Sequence, residues 1–285
     1  MNLQEETKYI LKKYGISANK RLGQNFLIDE QAVNISVEVS NINKEDLVIE
    51  IGPGLGTLTK ELLEKAGKVI CIELDTRMIK ILSDRFSIYK NFEVINEDVL
   101  KINLKELIRK NKSEDSNIKE VKVVANLPYY ITTPIIMKLL EEKLDIKSIT
   151  VMVQKEVADR LTAVPGNSNC SAITYAIRYY TEPQKIIDVP NTSFMPAPEV
   201  NSSIIKLNVL KNPPVKVKNE ETLFKVIKLA FMQKRKTLLN SLTNAKIFGN
   251  KNEVENMMNN LGLDLKIRAE KLTLEDFKNI ADCLK

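Results

Sequence analysis

The chain has 285 residues, 44% of them hydrophobic, a net charge of +6 and no histidine. That length suits one large domain, or a large one with a small companion. The missing imidazole excludes Ser-His and Cys-His nucleophilic catalysis, zinc-protease motifs and the usual dehydrogenase proton relay. No stretch of 18 apolar residues is present, so no membrane span is expected. The charged start MNLQEETKYILKKYG lacks the apolar core of a secretory signal. Cys71, Cys170 and Cys283 are far apart and form no CxxC pair. They predict neither a disulfide framework nor a metal site, and they fit a cytoplasmic protein.

In chain order, KKYGISANKRLGQ (12–24) comes first, with Lys20 and Arg21. Residues 1–24 read as a flexible basic arm that a cofactor or RNA would order. Strands are expected at Val48–Ile51, Val69–Glu73, Phe92–Ile95, Val121–Ala125, Ile149–Val153 and Ile204–Val209, with a weaker one at Ile186–Val189. TLTKELLEKAG lies between the first two, with Leu58, Leu62 and Leu63 on one helical face and Gly67 as a C-cap. KNKSEDSNIKE (110–120) reads as an exposed polar loop. Alternating strands and helices argue for an α/β domain over 1–210, its parallel sheet covered on both faces.

KNPPVKVKNEE (211–221) then reads as a linker. Residues 211–285 form a helical, basic domain. They hold 15 Lys and Arg against 9 Asp and Glu, which is the whole charge excess of the chain. A basic module joined to a neutral one points to a polyanion, most often nucleic acid; a solvated lysine-rich tail is the bland alternative. Lys234, Arg235 and Lys236 form the densest cluster, read here on a helix whose apolar face carries Phe224, Ile227, Phe231 and Leu238. Phosphate contact is their expected use, with Lys20 and Arg21 adding to it.

The chemistry concentrates after the strands. EIGPGLGTL places Gly52, Gly54 and Gly56 after the first one, where backbone can turn tightly and a ligand approach. Thr57 stands where a dinucleotide fingerprint needs glycine, so a nucleoside ligand without pyrophosphate fits better. Glu73, at the tip of the second strand, is placed to accept from both ribose hydroxyls. Asp98 in NEDVL can accept from an adenine amine, with Val99 flanking the ring.

After the fourth strand comes Asn126-Leu127-Pro128-Tyr129. An exocyclic adenine amine is a poor nucleophile because its lone pair is delocalised into the ring. Two acceptors on its hydrogens, the Asn126 side-chain oxygen and the Leu127 carbonyl, favour a tetrahedral nitrogen with the lone pair outward. Pro128 restricts the turn that presents them. Tyr129 offers a ring face to a flipped base, worth about 1–3 kcal/mol. No strong base is needed, since an amine that has gained a methyl sheds its proton to water. A Pro-containing turn with a packed tyrosine is the structural alternative.

KRLGQNFLID, VIEIGPGLGTLT, IELD, EDVL, NLPYYITTPIIMKLL, VMVQKEVADRLTA, FMPAPEVNSSI and FMQKRKTLLNSL occur in that order from about residue 17 to the C-terminus. With these blocks the chain resembles the ribosomal RNA small-subunit adenine dimethyltransferase family. The resemblance implies a seven-stranded Rossmann-like methyltransferase sheet, its last strand antiparallel, with a small C-terminal all-helical domain. It implies S-adenosylmethionine as cofactor and no metal. It also implies dimethylation of two adjacent adenines near the 3′ end of small-subunit rRNA, late in subunit biogenesis; apart from the resemblance, a monomer is expected. Carried across residue by residue, the cofactor contacts are Asn25, Leu27, Gly52, Glu73, Asp98 and Asn126; Asn25 and Leu27 rest on the resemblance alone. Phe194 resembles a second aromatic closing on the target base. Cys170 and Ser171 depart from the family's Tyr-Gly pair, which puts RNA docking there in doubt.

Two other readings remain at this point. A macrolide-resistance type of large-subunit rRNA adenine methyltransferase shares several of these blocks. A non-catalytic ribosome assembly factor could keep the fold.

Overall fold

The computed structural model describes residues 1–233 and 235–284, residue 20 by its backbone alone. Its contacts define two compact units, 1–158 with 184–209, and 159–183 with the residues from 210 onward. No helix among the described residues is long and apolar enough to cross a membrane.

The chain begins with α1 (Leu3–Tyr14), β1 (Phe26–Leu27) and α2 (Glu30–Val39). Alternation follows: β2 (Asp46–Ile51), α3 (Thr57–Lys65), β3 (Lys68–Glu73), α4 (Thr76–Phe86), β4 (Phe92–Asn96), α5 (Leu104–Glu114), β5 (Glu120–Asn126), α6 (Thr132–Glu141) and β6 (Ser148–Gln154). Then come α7 (Lys155–Thr162), α8 (Ala172–Tyr180), β7 (Thr181–Val189), β8 (Phe194–Met195) and β9 (Ser202–Val209). Seven strands make one sheet in the order β4-β3-β2-β5-β6-β9-β7, with β9 antiparallel to β6. All seven strands expected from the sequence are present. The six residues of β2 are all buried, as a strand covered on both faces requires. Strand order reverses between β2 and β5, so their carboxyl ends part and leave a crevice.

Several local expectations need correction. Residues 1–24 are not a loose arm. Asn2 and Glu5 form a capping box at the start of α1, and Gly15, with φ of 63°, ends it. Thr7 and Ile10 are buried, and Leu3, Leu11, Tyr14 and Ile16 pack on the core, so apolar burial outweighs the charge of Lys12 and Lys13. Half of the polar segment 110–120 continues α5 to Glu114, and Asn111 is buried there.

Gly67 does not cap α3 in a left-handed conformation. The helix ends at an extended Ala66, and the Gly67 amide donates to Asp46 O at 3.1 Å. Glycine is needed because a Cβ would stand 2.3 Å from the Lys44 carbonyl oxygen.

The second unit adds α9 (Glu220–Phe231), α10 (Leu238–Ala245), α11 (Lys251–Asn260) and α12 (Leu274–Asp282) to α8. The division at residue 210 therefore misplaces 159–183. Tyr175 shows why: it is fully buried, its ring meets Phe231 and Phe277, and its hydroxyl donates to Leu272 O at 2.6 Å. The Cys170–Ser171 departure lies in this packing. The buried Cys170 thiol donates to Val164 O at 3.1 Å, and Ser171 opens α8 through a capping box. The stretch 220–242 is two helices rather than one, because Thr237 caps α10 by accepting the Asn240 amide. Arg235 and Lys236 are thus exposed in a connection, not on a helix face. Lys234 and the Lys20 side chain lie outside the described residues.

Gly67→Ala should lower stability by about 2–3 kcal/mol, since backbone must move to admit the methyl. Gly15→Ala, with nothing within 4 Å of the added carbon, should cost only about 1–2 kcal/mol of left-handed strain. Thermal melting of both variants checks the order.

Candidate active site

Four strand ends and the segment 22–27 line an open cleft. Asn25, Leu27, Gly52, Gly54, Glu73, Asp98, Val99 and Asn126 all line it, as do Leu127, Pro128 and Tyr129. The sequence spread these residues over about a hundred positions; the parallel sheet brings them to one place. Phe194 is the exception. It pairs with the lining residue Leu27 across β1 and β8, is 3% exposed and packs in the core, and it does not itself line the cleft. A buried loop aromatic has this alternative use as an anchor.

The turn after β2 is shaped by its glycines. Gly56 has φ of 83°, and a Cβ there would meet the Phe86 ring at 2.5 Å. The Gly54 amide donates to Glu73 Oε2 at 3.2 Å, while Glu73 Oε1 accepts the Asp75 amide at 2.8 Å. Glu73 is only 6% exposed. Burial raises its pKa, and the two amide bonds pull against that rise. Each carboxylate oxygen keeps acceptor capacity for a further donor. Asp98 is fixed by the Leu100 amide, which donates to Oδ1 at 2.9 Å. Beside it, Val99 is buried, while Leu74 on the neighbouring strand end is 49% exposed.

At the end of β5 the Asn126 side-chain amide donates to Asn25 O at 3.3 Å, joining the strand end to the N-terminal segment. With the amide so placed, Asn126 Oδ1 accepts no hydrogen bond from a described residue. The Leu127 amide donates to Met152 O at 3.2 Å, and its carbonyl oxygen is likewise unclaimed. Thr132 and Ile131 both donate to Pro128 O instead, which fixes the turn. Tyr129 is half-buried and shares a 2.6 Å hydrogen bond with Ser202 Oγ, so its ring is anchored at the hydroxyl. Burial holds its phenol above the usual value, and it stays neutral near pH 7. Two free acceptors beside a fixed ring suit a planar amine and an aromatic base.

Among the lining residues that sequence reasoning missed are Gln24, Leu74, Tyr130 and Glu50. Tyr130 is exposed at 55% and packs over Gly23. A doubled tyrosine after Pro was the available signal for it. Glu50 was hidden inside an apolar strand. Its Oε2 accepts from Thr59 at 2.6 Å and from Cys71 at 3.4 Å. Burial pushes its carboxyl up to about 7, with those two bonds opposing the shift and Glu73 adding to it.

Comparison with known proteins identifies the family. A sequence profile of the family described as "Ribosomal RNA adenine dimethylase" matches residues 15–285. A Clostridium botulinum protein named "Ribosomal RNA small subunit methyltransferase A" is 48% identical over 278 residues, 98% of each chain. Its Bacillus pumilus namesake is 46% identical over 280 residues, covering 98% of this chain and 95% of that one. Among solved structures, a dimethyladenosine transferase from Plasmodium falciparum superposes with a TM-score of 0.74 at 27% identity, over 90% of this chain and 95% of that one. The 23S rRNA methyltransferase ErmE gives 0.68 at 25% identity, over 91% and 99%.

Glu50 also sets a pH dependence. Its folded pKa of about 7 exceeds the ordinary 4.5, so the fold binds more protons than the unfolded chain between those values. Its contribution therefore falls as pH rises through that window, by at most about 1.4 kcal/mol per pH unit. Glu50→Gln should remove this decline. Melting temperatures of both proteins without cofactor, from pH 5 to 8, make the comparison.

Proposed function

The chain belongs to the ribosomal RNA adenine dimethylase family, and from that premise we propose how its own residues carry out the reaction. The protein is an S-adenosylmethionine-dependent rRNA adenine N6-dimethyltransferase. We assign as its target two adjacent adenines near the 3′ end of small-subunit rRNA, modified late in subunit biogenesis. The enzyme works as a cytoplasmic monomer and uses no metal.

The cleft fits the cofactor. Glu73, buried yet with acceptor capacity left, takes the ribose hydroxyls, and Asp98 the adenine amine between Leu74 and Val99. Gly52 and Gly54 leave room for the chain of the ligand, and Asn25 and Leu27 close the cleft from the N-terminal side. When bound, S-adenosylmethionine supplies an electrophilic methyl group on sulfur. Asn126 Oδ1 and Leu127 O accept the two amine hydrogens of the target adenine and turn its lone pair outward. Tyr129 stacks the flipped base, and the Ser202 hydrogen bond holds its ring in place. Positioning and fixed dipoles provide most of the acceleration. The methylated amine loses its proton to water. Phe194 supports Leu27 through the β1–β8 pair. Arg21, Arg235 and Lys236, all exposed, contact phosphates.

The unclaimed acceptors of Asn126 and Leu127 beside the anchored Tyr129 ring carry this reading. The similarity to ErmE supports a large-subunit target as second reading, at much lower identity than the small-subunit relatives.

Asn126→Ala should keep cofactor affinity within several-fold and lower kcat about 10²–10³-fold. Calorimetric titration and labelled methyl transfer separate the two effects, and wild-type turnover would sink the assigned role. Offered unmethylated small subunits, naked small-subunit rRNA and large-subunit rRNA, the enzyme should yield dimethyladenosine from the small subunit after digestion. Label only in large-subunit RNA would favour the resistance-type reading. Cofactor binding without any label would favour the assembly-factor reading.

A further inference from the structure

Two side-chain chains run from the N-terminal segment to the cofactor cleft, and the reading above gives no role to their linking side chains Glu6, Arg85, Gln24 and Asp75. In the first, Glu6 on α1 pairs with Arg85 near the end of α4. The same guanidinium donates through Nη1 to Leu55 O at 2.6 Å, inside the glycine turn. Arg85 is 16% exposed in its side chain, and burial lowers its pKa while Glu6 offsets this. The next residue, Phe86, is the ring that fills the space beside Gly56. Tyr14, at the other end of α1, donates to Asp84 at 3.1 Å.

In the second chain, Gln24 Oε1 accepts the Asn19 amide at 2.8 Å, and Gln24 Nε2 donates to Asp75 Oδ2 at 2.9 Å. Arg77 clamps the same carboxylate through Nε and Nη2. The Asp75 amide then donates to Glu73 Oε1, whose partner oxygen holds Gly54. Both chains end on cleft-lining groups, Leu55 and Glu73.

We infer that these two tethers couple docking of the N-terminal segment to cofactor occupancy, with Arg85 and Asp75 as positioning residues for the glycine turn and for Glu73. The inference rests on the cofactor reading given above. A ligand that holds the turn and Glu73 stabilises the same groups that α1 and residues 19–24 hold. Whatever orders one end reduces the entropy lost in ordering the other. The coupling is reciprocal: a docked α1 tightens the cofactor, and the cofactor tightens α1.

The test uses the full-length protein, S-adenosylhomocysteine as probe, and the variants Glu6→Gln, Arg85→Gln and their combination. Calorimetry should show Kd raised about fivefold or more by Glu6→Gln, with the double variant no worse than Arg85→Gln alone. In steady state the rise in KM for the cofactor should exceed the fall in kcat. Hydrogen exchange should show α1 amides more protected with S-adenosylhomocysteine in the wild type, and this gain reduced in Glu6→Gln. The Glu6 side chain is more exposed than that of Arg85, so its variant folds even if loss of Arg85 does not. A merely structural pair would lower the melting temperature without moving Kd or the ligand-induced protection. That result, with the wild type binding the probe, overturns the inference alone. Failure of the wild type to bind overturns the cofactor reading as well.

Discussion

A carboxylate buried at the end of β3 ties the cleft together. Glu73 holds the Gly54 amide with one oxygen and the Asp75 amide with the other, so the turns after β2 and β3 cannot move independently. Burial of that charge is unfavourable, and the two amides are what make it tolerable. The positive φ of Gly54 and Gly56 follows from the same arrangement, because the turn must bring its amide to the carboxylate while Phe86 occupies the space below. The glycines, the aromatic ring and the acid are one local solution.

The target side of the cleft is built differently. Asn126 and Leu127 are aimed by a sheet rather than by a charge. Leu127 donates to Met152 on β6, and Tyr129 is anchored to Ser202 at the start of β9. The antiparallel strand thus takes part in the site, because its first residue meets the tyrosine hydroxyl. A ring on rigid elements presents its face with little entropy left to lose on binding.

How much of this was legible depended on range. The central strands were readable because strands buried on both faces are runs of β-branched residues, as in LVIEI and VKVVAN. Glu73, Asp98 and Asn126 were readable because they follow such runs directly. Failures came where a distant partner decides the outcome. Phe194 looks like any loop aromatic until β1 pairs with β8 and buries it. Gly67 looks like a helix cap, and only the approach of Lys44 shows its use. The charges of 12–24 suggested mobility, while the apolar face of α1 carried the opposite message. Glu50 was invisible because periodicity does not reveal what a buried acid touches.

The packing of Tyr175 has a consequence for how such a protein can be recombined. The helical unit is assembled from two separated stretches, and the Tyr175 hydroxyl in the first donates a hydrogen bond to Leu272 O in the second. A single crossover near residue 210 would pair α8 from one parent with α12 from another. The ring faces of Phe231 and Phe277, and the carbonyl at 272, would then have to fit a tyrosine that had not been selected beside them. Exchange of the helical unit between relatives therefore calls for two joints, one on each side of 159–183 besides the one at 210. Packing makes the two stretches one piece.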